Sequence, residues 1–182
     1  SPHRPDGNFL TESRYMQVPF RFAPAPLFKK AGYQTRFIYG GGIGWRNVDR
    51  FARIQGYDSI EGDFAIEDSL GRKLTPHDWG VYDEDVFLHI EKILRTAQQP
   101  QFIFVMTTTN HPPYQVPENY QGRPLTIPDT LQAELVSDPN ISSQRFRVFQ
   151  YSNEMLGQFM TRIKSSDLGS RTIVAASGDH GF

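Results

Sequence analysis

The chain has 182 residues, 38% of them hydrophobic and 13% aromatic, which is enough for one globular domain with a substantial core. A formal net charge of −1 and the lack of a long Lys/Arg run leave no electrostatic footprint for nucleic acid or an anionic membrane surface, so nucleic acid is not expected as a partner. The absence of cysteine excludes disulfides, Cys-ligated zinc and thiol catalysis.

No stretch of the sequence has the length of a membrane-spanning helix, which needs roughly 20 apolar residues. The longest purely apolar run covers only residues 102–106. The opening “SPHRPDGNF” lacks the pattern of a signal peptide. We therefore expect the chain to be an excerpt of a longer protein.

The first predicted elements alternate between helix and strand. “APLFKKAG” predicts a helix closed by Gly32, and “YQTRFIYGGG” predicts a short strand over residues 37–39 that runs into glycines. “WRNVDRFARIQG” predicts a helix with one apolar face that ends at Gly56, followed by a short strand in “YDSIE”.

The second half continues the alternation. An apolar stripe predicts a helix over residues 82–98, with Asp83, Glu84 and Asp85 in its first turn, where the helix dipole favours carboxylates. The continuous apolar run “QFIFVMT” predicts a strand buried on both faces. Ser142 or Ser143 is expected to cap a long helix, and “RTIVAAS” predicts a last buried strand. The inward face of that helix is expected to contain Phe146, Phe149, Leu156, Phe159 and Ile163.

Alternating helices and buried strands predict an α/β fold with a largely parallel sheet flanked by helices. In such sheets, ligands bind beyond the carboxyl ends of the strands. Three clusters follow predicted strands, and we expect them to converge: “YGGGIGWRN”, “TTTNHPPY” and “SGDHGF”.

The glycine-rich cluster has two interpretations. Consecutive glycines can cradle a phosphate, but the P-loop Lys-Ser/Thr and the GxGxxG spacing are missing, which favours a simple turn. Trp45 and Arg46 beside it can stack on and clamp a phosphoryl group, and Trp45 can equally be packing at a helix start.

His111 directly follows a predicted strand, with three threonines before it and two prolines after it. Its position at the ligand edge favours a functional role over simple packing. The proline-rich stretch “YQVPENYQGRPLTIPDT” that follows has little periodicity, and we expect it to form a lid over the site.

Asp179 and His180 follow the last predicted strand. A carboxylate and an imidazole side by side suit Mn²⁺ or Zn²⁺, but two ligands do not complete a site, so further donors are required.

Four segments together resemble one known family: “GYQTRFIYGG”, “WGVYDEDVF”, “FIFVMTTTNHPPY” and “TIVAASGDHG”. In this order and at these distances they resemble the lipoteichoic acid synthase and phosphoglycerol transferase family of the sulfatase and alkaline phosphatase superfamily. The resemblance covers about residue 27 to the end. It implies an alkaline-phosphatase-like fold in an enzyme anchored to the cell membrane, with an extracytoplasmic catalytic domain.

Such an enzyme moves glycerol phosphate from phosphatidylglycerol to a glycan or polymer acceptor through a phosphothreonine, using one divalent ion. The ion is usually Mn²⁺, with Mg²⁺ or Zn²⁺ as alternatives. The resemblance implies that Asp179 and His180 bind the metal and that His111, Trp45 and Arg46 bind substrate. Here Trp45 and Arg46 are adjacent, whereas the family commonly has one residue between them, and Tyr39 replaces a histidine of Gram-positive members.

The resemblance also implies that residues 1–182 are part of one catalytic domain. The family's first strand with its metal-binding glutamate, and its threonine nucleophile, precede the matched region, so we expect this chain alone to be inactive. Two alternatives stay open: a sulfatase or phosphoethanolamine transferase of the same superfamily, or a non-catalytic domain that has lost the nucleophile.

Overall fold

The computed structural model describes residues 11, 13–126, 128–132 and 139–179, apart from the side chains of residues 131, 132 and 139–141. The helices in this part of the chain are α1 (Pro24–Lys30), α2 (Val48–Ile54), α3 (Asp63–Leu70), α4 (Asp83–Thr96), α5 (Asp129–Gln132) and α6 (Pro139–Lys164). The strands are β1 (Gln34–Tyr39), β2 (Ser59–Glu61), β3 (Pro76–His77), β4 (Gly80–Val81) and β5 (Gln101–Met106). Within these ranges, no helix has both the length and the apolar character needed to cross a membrane.

The main sheet is parallel, with β1 in the centre between β2 and β5. Residues 36–38 of β1 pair with 59–61, and residues 34–39 pair with 101–106. Helices separate these strands along the chain, as parallel pairing requires. The predicted α/β fold with a parallel sheet flanked by helices is therefore confirmed.

Alternation along β1 sends its side chains to two cores. Ile38 joins the larger core between the sheet and helices α4 and α6, together with Val86, Tyr151 and Phe159. Tyr39 faces the other way, into a smaller cluster with Val48 and Ala52 of α2. Burial of each large apolar side chain contributes about 1.5–3 kcal/mol, so the two cores hold the carboxyl end of β1 firmly.

The prediction of a strand in “RTIVAAS” is wrong. Residues 172–178 have no regular secondary structure, and Ile173 is 97% exposed. A strand exists only where its backbone groups pair with a neighbour, and this segment pairs with none of the described strands.

Three smaller expectations are also corrected. β5 is not buried on both faces, since Phe104 is 43% exposed and the other residues of the strand are only partly buried. Helix α6 begins at Pro139, so Ser142 and Ser143 lie inside it rather than at its cap. Phe149 is 57% exposed, because the neighbouring Val148 takes the inward position of that turn.

A small antiparallel hairpin, which the sequence analysis did not predict, precedes α4. Strands β3 and β4 pair Pro76 with Val81 and His77 with Gly80, which leaves Asp78 and Trp79 at the turn. The hairpin is fixed to the end of β1, since the backbone N–H of Val81 donates to the Gly40 carbonyl at 2.8 Å.

Candidate functional site

A cleft of about 860 Å³ lies beyond the carboxyl ends of β1 and β5. The segment after β1 forms one side, the hairpin turn a second, and the proline pair after His111 a third. Its lining consists of Tyr39, Gly42, Gly44, Trp45, Asp63, Pro76, His77, Asp78, Trp79, Gly80, Pro112 and Pro113. This is the edge where parallel sheets bind ligands, as predicted.

The first two glycines after β1, Gly40 and Gly41, serve close packing. The N–H of Gly40 donates to the Met106 carbonyl at 3.0 Å, so it is not aimed at an anion in the cleft. A Cβ at Gly41 would lie 2.4 Å from the Trp79 carbonyl oxygen. These glycines therefore let the hairpin approach β1, which favours the simple-turn interpretation.

His77 lines the cleft as a neutral, internally bonded ring. The Trp79 backbone N–H donates to its Nδ1 at 3.2 Å, which leaves Nε2 as the protonated nitrogen, 3.2 Å from the Val81 carbonyl oxygen. Burial lowers the pKa of His77. The ring therefore supports the hairpin and is not a free base.

His111 is exposed at the mouth of the cleft, after two buried threonines. The threonines hold the segment in place: Thr108 donates to the Val81 carbonyl at 3.2 Å, and Thr109 bonds to Asp83 at the start of α4. The backbone just before His111 is therefore held in place, while the His111 ring is exposed to solvent.

The three acids predicted at the start of α4 do lie in its first turn, but two of them are not solvated. Asp83 is 1% exposed and bonds to Thr109, while Asp85 is buried and pairs with Arg72. Their role is therefore to connect α4 to its surroundings as well as to complement the helix dipole.

Trp45 and Arg46 lie in a short 3-10 turn that borders the cleft. Arg46 and Asn47 have φ values of +48° and +56°, a left-handed conformation that is uncommon for arginine and more readily adopted by asparagine. The Arg46 guanidinium carbon lies 5.1 Å from the centre of the Trp45 ring.

An aromatic wall joins the predicted residues. The rings of Trp45 and Trp79 meet edge to face with centroids 6.0 Å apart, and the Trp79 ring lies 3.7 Å from that of His111. Trp45 and His111 are 66 positions apart in the sequence, yet Trp79 bridges them. The structure therefore brings these two predicted substrate-binding residues to one surface.

Tyr39 and Asp63 also line the cleft. Burial, with a smaller contribution from the Asp63 charge, raises the pKa of Tyr39, so its phenol stays protonated near neutral pH. The Tyr39 ring stacks on Trp45 at 6.2 Å. This chain therefore has a neutral hydroxyl beside Trp45, at the position where the resemblance implies a histidine in Gram-positive members.

Trp79, Asp63, His77 and Asp78 were assigned no role from the sequence. In the sequence, the signal for Trp79 is the glycine that follows it in “WGVYDEDVF”, since glycine favours a turn. In the structure, Gly80 has φ +140° and Trp79 lies at that turn.

The proline-rich loop after His111 is partly anchored. The Tyr120 hydroxyl donates to Glu154 of α6 at 2.8 Å, and Arg147 donates to the Tyr120 carbonyl at 2.9 Å. Pro112 and Pro113 border the cleft directly. A lid role for the loop stays a prediction.

Of the two predicted metal ligands, the structure describes only Asp179. Asp179 lies in an exposed bend, and His180 lies outside the described residues. Among the residues that the structure describes, no three or more histidines, aspartates or glutamates cluster to hold an ion. The assignment of Asp179 and His180 as metal ligands stays a prediction.

Comparison with protein families gives a match over most of the chain. The family model described as Sulfatase matches residues 25–182. Phosphoglycerol transferase I from Citrobacter koseri is 24% identical over 158 residues, and its counterpart from Salmonella arizonae is 25% identical over 158 residues. The alignment covers 85% of this chain but only 19% of each relative.

Solved structures give the same fold. A protein of the alkaline phosphatase superfamily from Vibrio parahaemolyticus has a TM-score of 0.61 and 25% identity, covering 86% of this chain and 34% of that one. The lipoteichoic acid synthase LtaP from Listeria monocytogenes has a TM-score of 0.64 at 18% identity, covering 85% and 35%. The predicted alkaline-phosphatase-like fold is confirmed by these likenesses.

Proposed function

The chain belongs to the sulfatase family of the alkaline phosphatase superfamily, and on that premise we propose that it is part of a metal-dependent phosphoglycerol transferase. The donor is a phosphatidylglycerol-type lipid, and the acceptor is a glycan or a polymer. A threonine in sequence outside this chain carries the phosphoryl group, so the 182 residues alone are not expected to turn over.

One observation supports the proposal: Trp79, which lines the cleft at the ligand edge of the sheet, contacts the rings of both Trp45 and His111. An imidazole and the neighbouring Arg46 guanidinium suit the phosphate, because both donate charge-assisted hydrogen bonds to an anion. The indole faces suit the carbon atoms of glycerol, which lose contact with water there. The three residues therefore match the two halves of a phosphoglyceryl group.

Enzymes of this superfamily are typically metal-dependent. We propose that Asp179 and His180 supply two ligands to one divalent ion, with Mn²⁺ preferred over Mg²⁺ or Zn²⁺ and the other ligands from outside the described residues. A bound ion supplies Lewis-acid stabilisation of charge on phosphorus. Titration calorimetry with Mn²⁺ tests this: Asp179→Asn should weaken binding, while Asp167→Asn, a second exposed aspartate, should not. Equal affinity in both variants would contradict the assignment.

The proposed location is the extracytoplasmic side of the cell membrane. The donor is a membrane lipid, so the catalytic domain must reach a bilayer surface, and a segment outside this chain would attach it. No contact with nucleic acid is proposed.

A turnover assay on the full-length protein tests the function. In Arg46→Ala, the kcat/KM for release of diacylglycerol from phosphatidylglycerol should fall about 10- to 100-fold. This is the loss expected when one charge-assisted hydrogen bond is removed. Arg171→Ala, an exposed arginine paired with Asp167, is the matched control and should be unaffected. Equal activity of the two variants would contradict the substrate role of Arg46.

A second candidate is a sulfate-ester hydrolase or phosphoethanolamine transferase, since the matching family model is that of the sulfatases. The same assay separates them: turnover of a sulfate ester or phosphatidylethanolamine, with phosphatidylglycerol inert, would favour this candidate. A full-length protein that binds these lipids but cleaves none of them would favour a non-catalytic domain.

A further inference from the structure

We propose that Asp63 sets the specificity of the cleft for a glyceryl group: its carboxylate accepts a hydrogen bond from one glycerol hydroxyl, and the neighbouring Tyr39 hydroxyl donates one to the other. The inference rests on the proposed function, in which the cleft binds a phosphoglyceryl group, and deepens it. It concerns the hydroxyl-bearing end of that group, for which the proposed function names no protein partner.

Backbone packing fixes Asp63 at the cleft. Its N–H donates to the Gly41 carbonyl at 3.2 Å, and its Oδ1 accepts the Phe64 N–H at 2.8 Å. This approach is possible because the preceding residue is Gly62, where a Cβ would lie 2.7 Å from the same Gly41 oxygen. The carboxylate is therefore held beside the segment that follows β1, although it belongs to the first turn of α3.

The second carboxylate oxygen of Asp63 faces the cleft. Oδ2 lies 3.8 Å from the position that a Cβ of Gly42 would occupy, and both residues line the cleft. Within the part of the chain that the structure describes, Oδ2 has no hydrogen-bond partner. An ionised carboxylate oxygen only accepts hydrogen bonds, so this oxygen is available to a ligand that brings a donor.

The hydroxyl of Tyr39 is a second polar group available at the same place. Tyr39 is only 4% exposed, yet it lines the cleft, and its hydroxyl has no hydrogen-bond partner among the described residues. The ring carbon that carries the hydroxyl would lie 3.0 Å from a Cβ at Gly41, so the phenol passes a residue that has no side chain. A buried polar side chain normally has a hydrogen-bond partner, so a hydroxyl that meets only the cleft indicates that a ligand or water completes it.

A glyceryl group matches these two polar groups. It carries hydroxyls on two neighbouring carbons, and each hydroxyl can both donate and accept a hydrogen bond. One hydroxyl donates to Asp63 in a charge-assisted bond, and its neighbour accepts from the Tyr39 O–H. An alkyl group of the same length offers neither bond and displaces the water that both protein groups would otherwise meet, so it should bind more weakly.

The charges around the cleft favour a diol over an ammonium group. A carboxylate beside aromatic rings can bind a cation, which is the competing interpretation of this site. Here the Arg46 guanidinium already lies over the Trp45 ring, 5.1 Å from its centre, and it would repel a second cation. The Tyr39 ring stacks on the same tryptophan. The site therefore fits a neutral group with hydroxyls.

Titration of the 182-residue chain with three phosphate esters, followed by NMR, tests the proposal: sn-glycerol 1-phosphate, 1-propyl phosphate, which lacks both hydroxyls, and ethanolamine phosphate. Wild type should bind glycerol phosphate about tenfold more tightly than either of the others. Asp63→Asn should weaken glycerol phosphate binding about three- to tenfold without weakening propyl phosphate binding, and Tyr39→Phe should weaken it about two- to fivefold. Asp68→Asn, which changes an exposed aspartate of the same helix, is the matched control and should alter none of these affinities.

Equal affinity of wild type for glycerol phosphate and propyl phosphate would overturn the proposal and leave the phosphate site of the proposed function in place. This comparison needs no variant. A wild-type preference for ethanolamine phosphate would also overturn it. So would an Asp63→Asn variant that weakens binding of both esters equally, as a purely structural role would, or of neither. If wild type binds none of the three esters, the proposed function fails and the inference fails with it.

Discussion

The hydroxyl of Thr109 donates to the Asp83 carboxylate at 2.7 Å, and the backbone N–H of Asp83 donates back to the same hydroxyl at 3.0 Å. The N–H of Thr109 also donates to Asp83, at 3.2 Å, and each residue is 1% exposed. This closed pair ties the start of α4 to the segment after β5, two residues before His111. The position of the exposed His111 therefore depends on a buried carboxyl group that Thr109 holds by hydrogen bonds.

Thr109→Val should destabilise the protein by about 2–4 kcal/mol, because it removes the hydroxyl and leaves the buried carboxylate with fewer donors. Urea unfolding measures the change. Thr161→Val is the matched control, since Thr161 is exposed on α6 and its hydroxyl donates to the Gly157 carbonyl of the same helix, so its replacement should change the free energy of unfolding by less than about 0.5 kcal/mol. Similar losses in both variants would contradict the role of the buried pair.

Gly80→Ala should destabilise the protein by about 2–4 kcal/mol and displace the hairpin from β1. Gly80 has φ +140°, and a Cβ there would lie 2.1 Å from the Gly40 carbonyl oxygen. Gly157→Ala is the opposite case: Gly157 is exposed within α6 with no atom near the new Cβ, so stability should rise by about 0.5–1 kcal/mol. Thermal unfolding of the two variants tests the prediction, and stability changes of the same sign would contradict it.

Glu61 should make folding depend on pH in acid. Burial alone would raise its pKa, but hydrogen bonds from His89, Ser59 and Arg36, with the Arg36 charge, lower it to about 2. A carboxyl whose pKa is lower in the folded state stabilises the protein above its unfolded pKa of 4.5, and this stability is lost as pH falls towards 2. The contribution is on the order of 2–3 kcal/mol.

Glu61→Gln isolates that contribution. The difference in free energy of unfolding between wild type and Glu61→Gln should be largest at pH 6–7 and shrink between about pH 4.5 and pH 2. Guanidinium unfolding across this range measures it. A difference that stays constant with pH would show that Glu61 does not titrate as its partners predict.

The local patterns of the sequence predict most of the fold. Apolar segments and the glycines that end them predict the bounds of β1, α2 and α4 to within a few residues. The alternation of helices and strands predicts that the strands pair in parallel. His111 and Trp45 could be found in the same way, because the carboxyl ends of parallel strands meet at one edge.

The hairpin that bears Trp79 could not be predicted from such patterns, since its strands are two residues each and depend on distant glycines for their position. The burial of Asp83 could not be predicted either, because its hydrogen-bond partner Thr109 is 26 positions away in the sequence. The apolar segment that contains Ile173 favours a strand by its composition. A strand also needs a paired neighbour, however, and the sequence alone does not reveal whether one is present.

The most direct test of the central claim, that this cleft binds a phosphoglyceryl group, uses the two indole N–H signals of the chain. The sequence contains only two tryptophans, Trp45 and Trp79, and both line the cleft. On titration with sn-glycerol 1-phosphate to about 10 mM, enough to fill a site of millimolar affinity, both signals should shift in wild type. They should stay in place in His111→Ala. Binding elsewhere, or none, would leave both indole signals unmoved in wild type and would contradict the account.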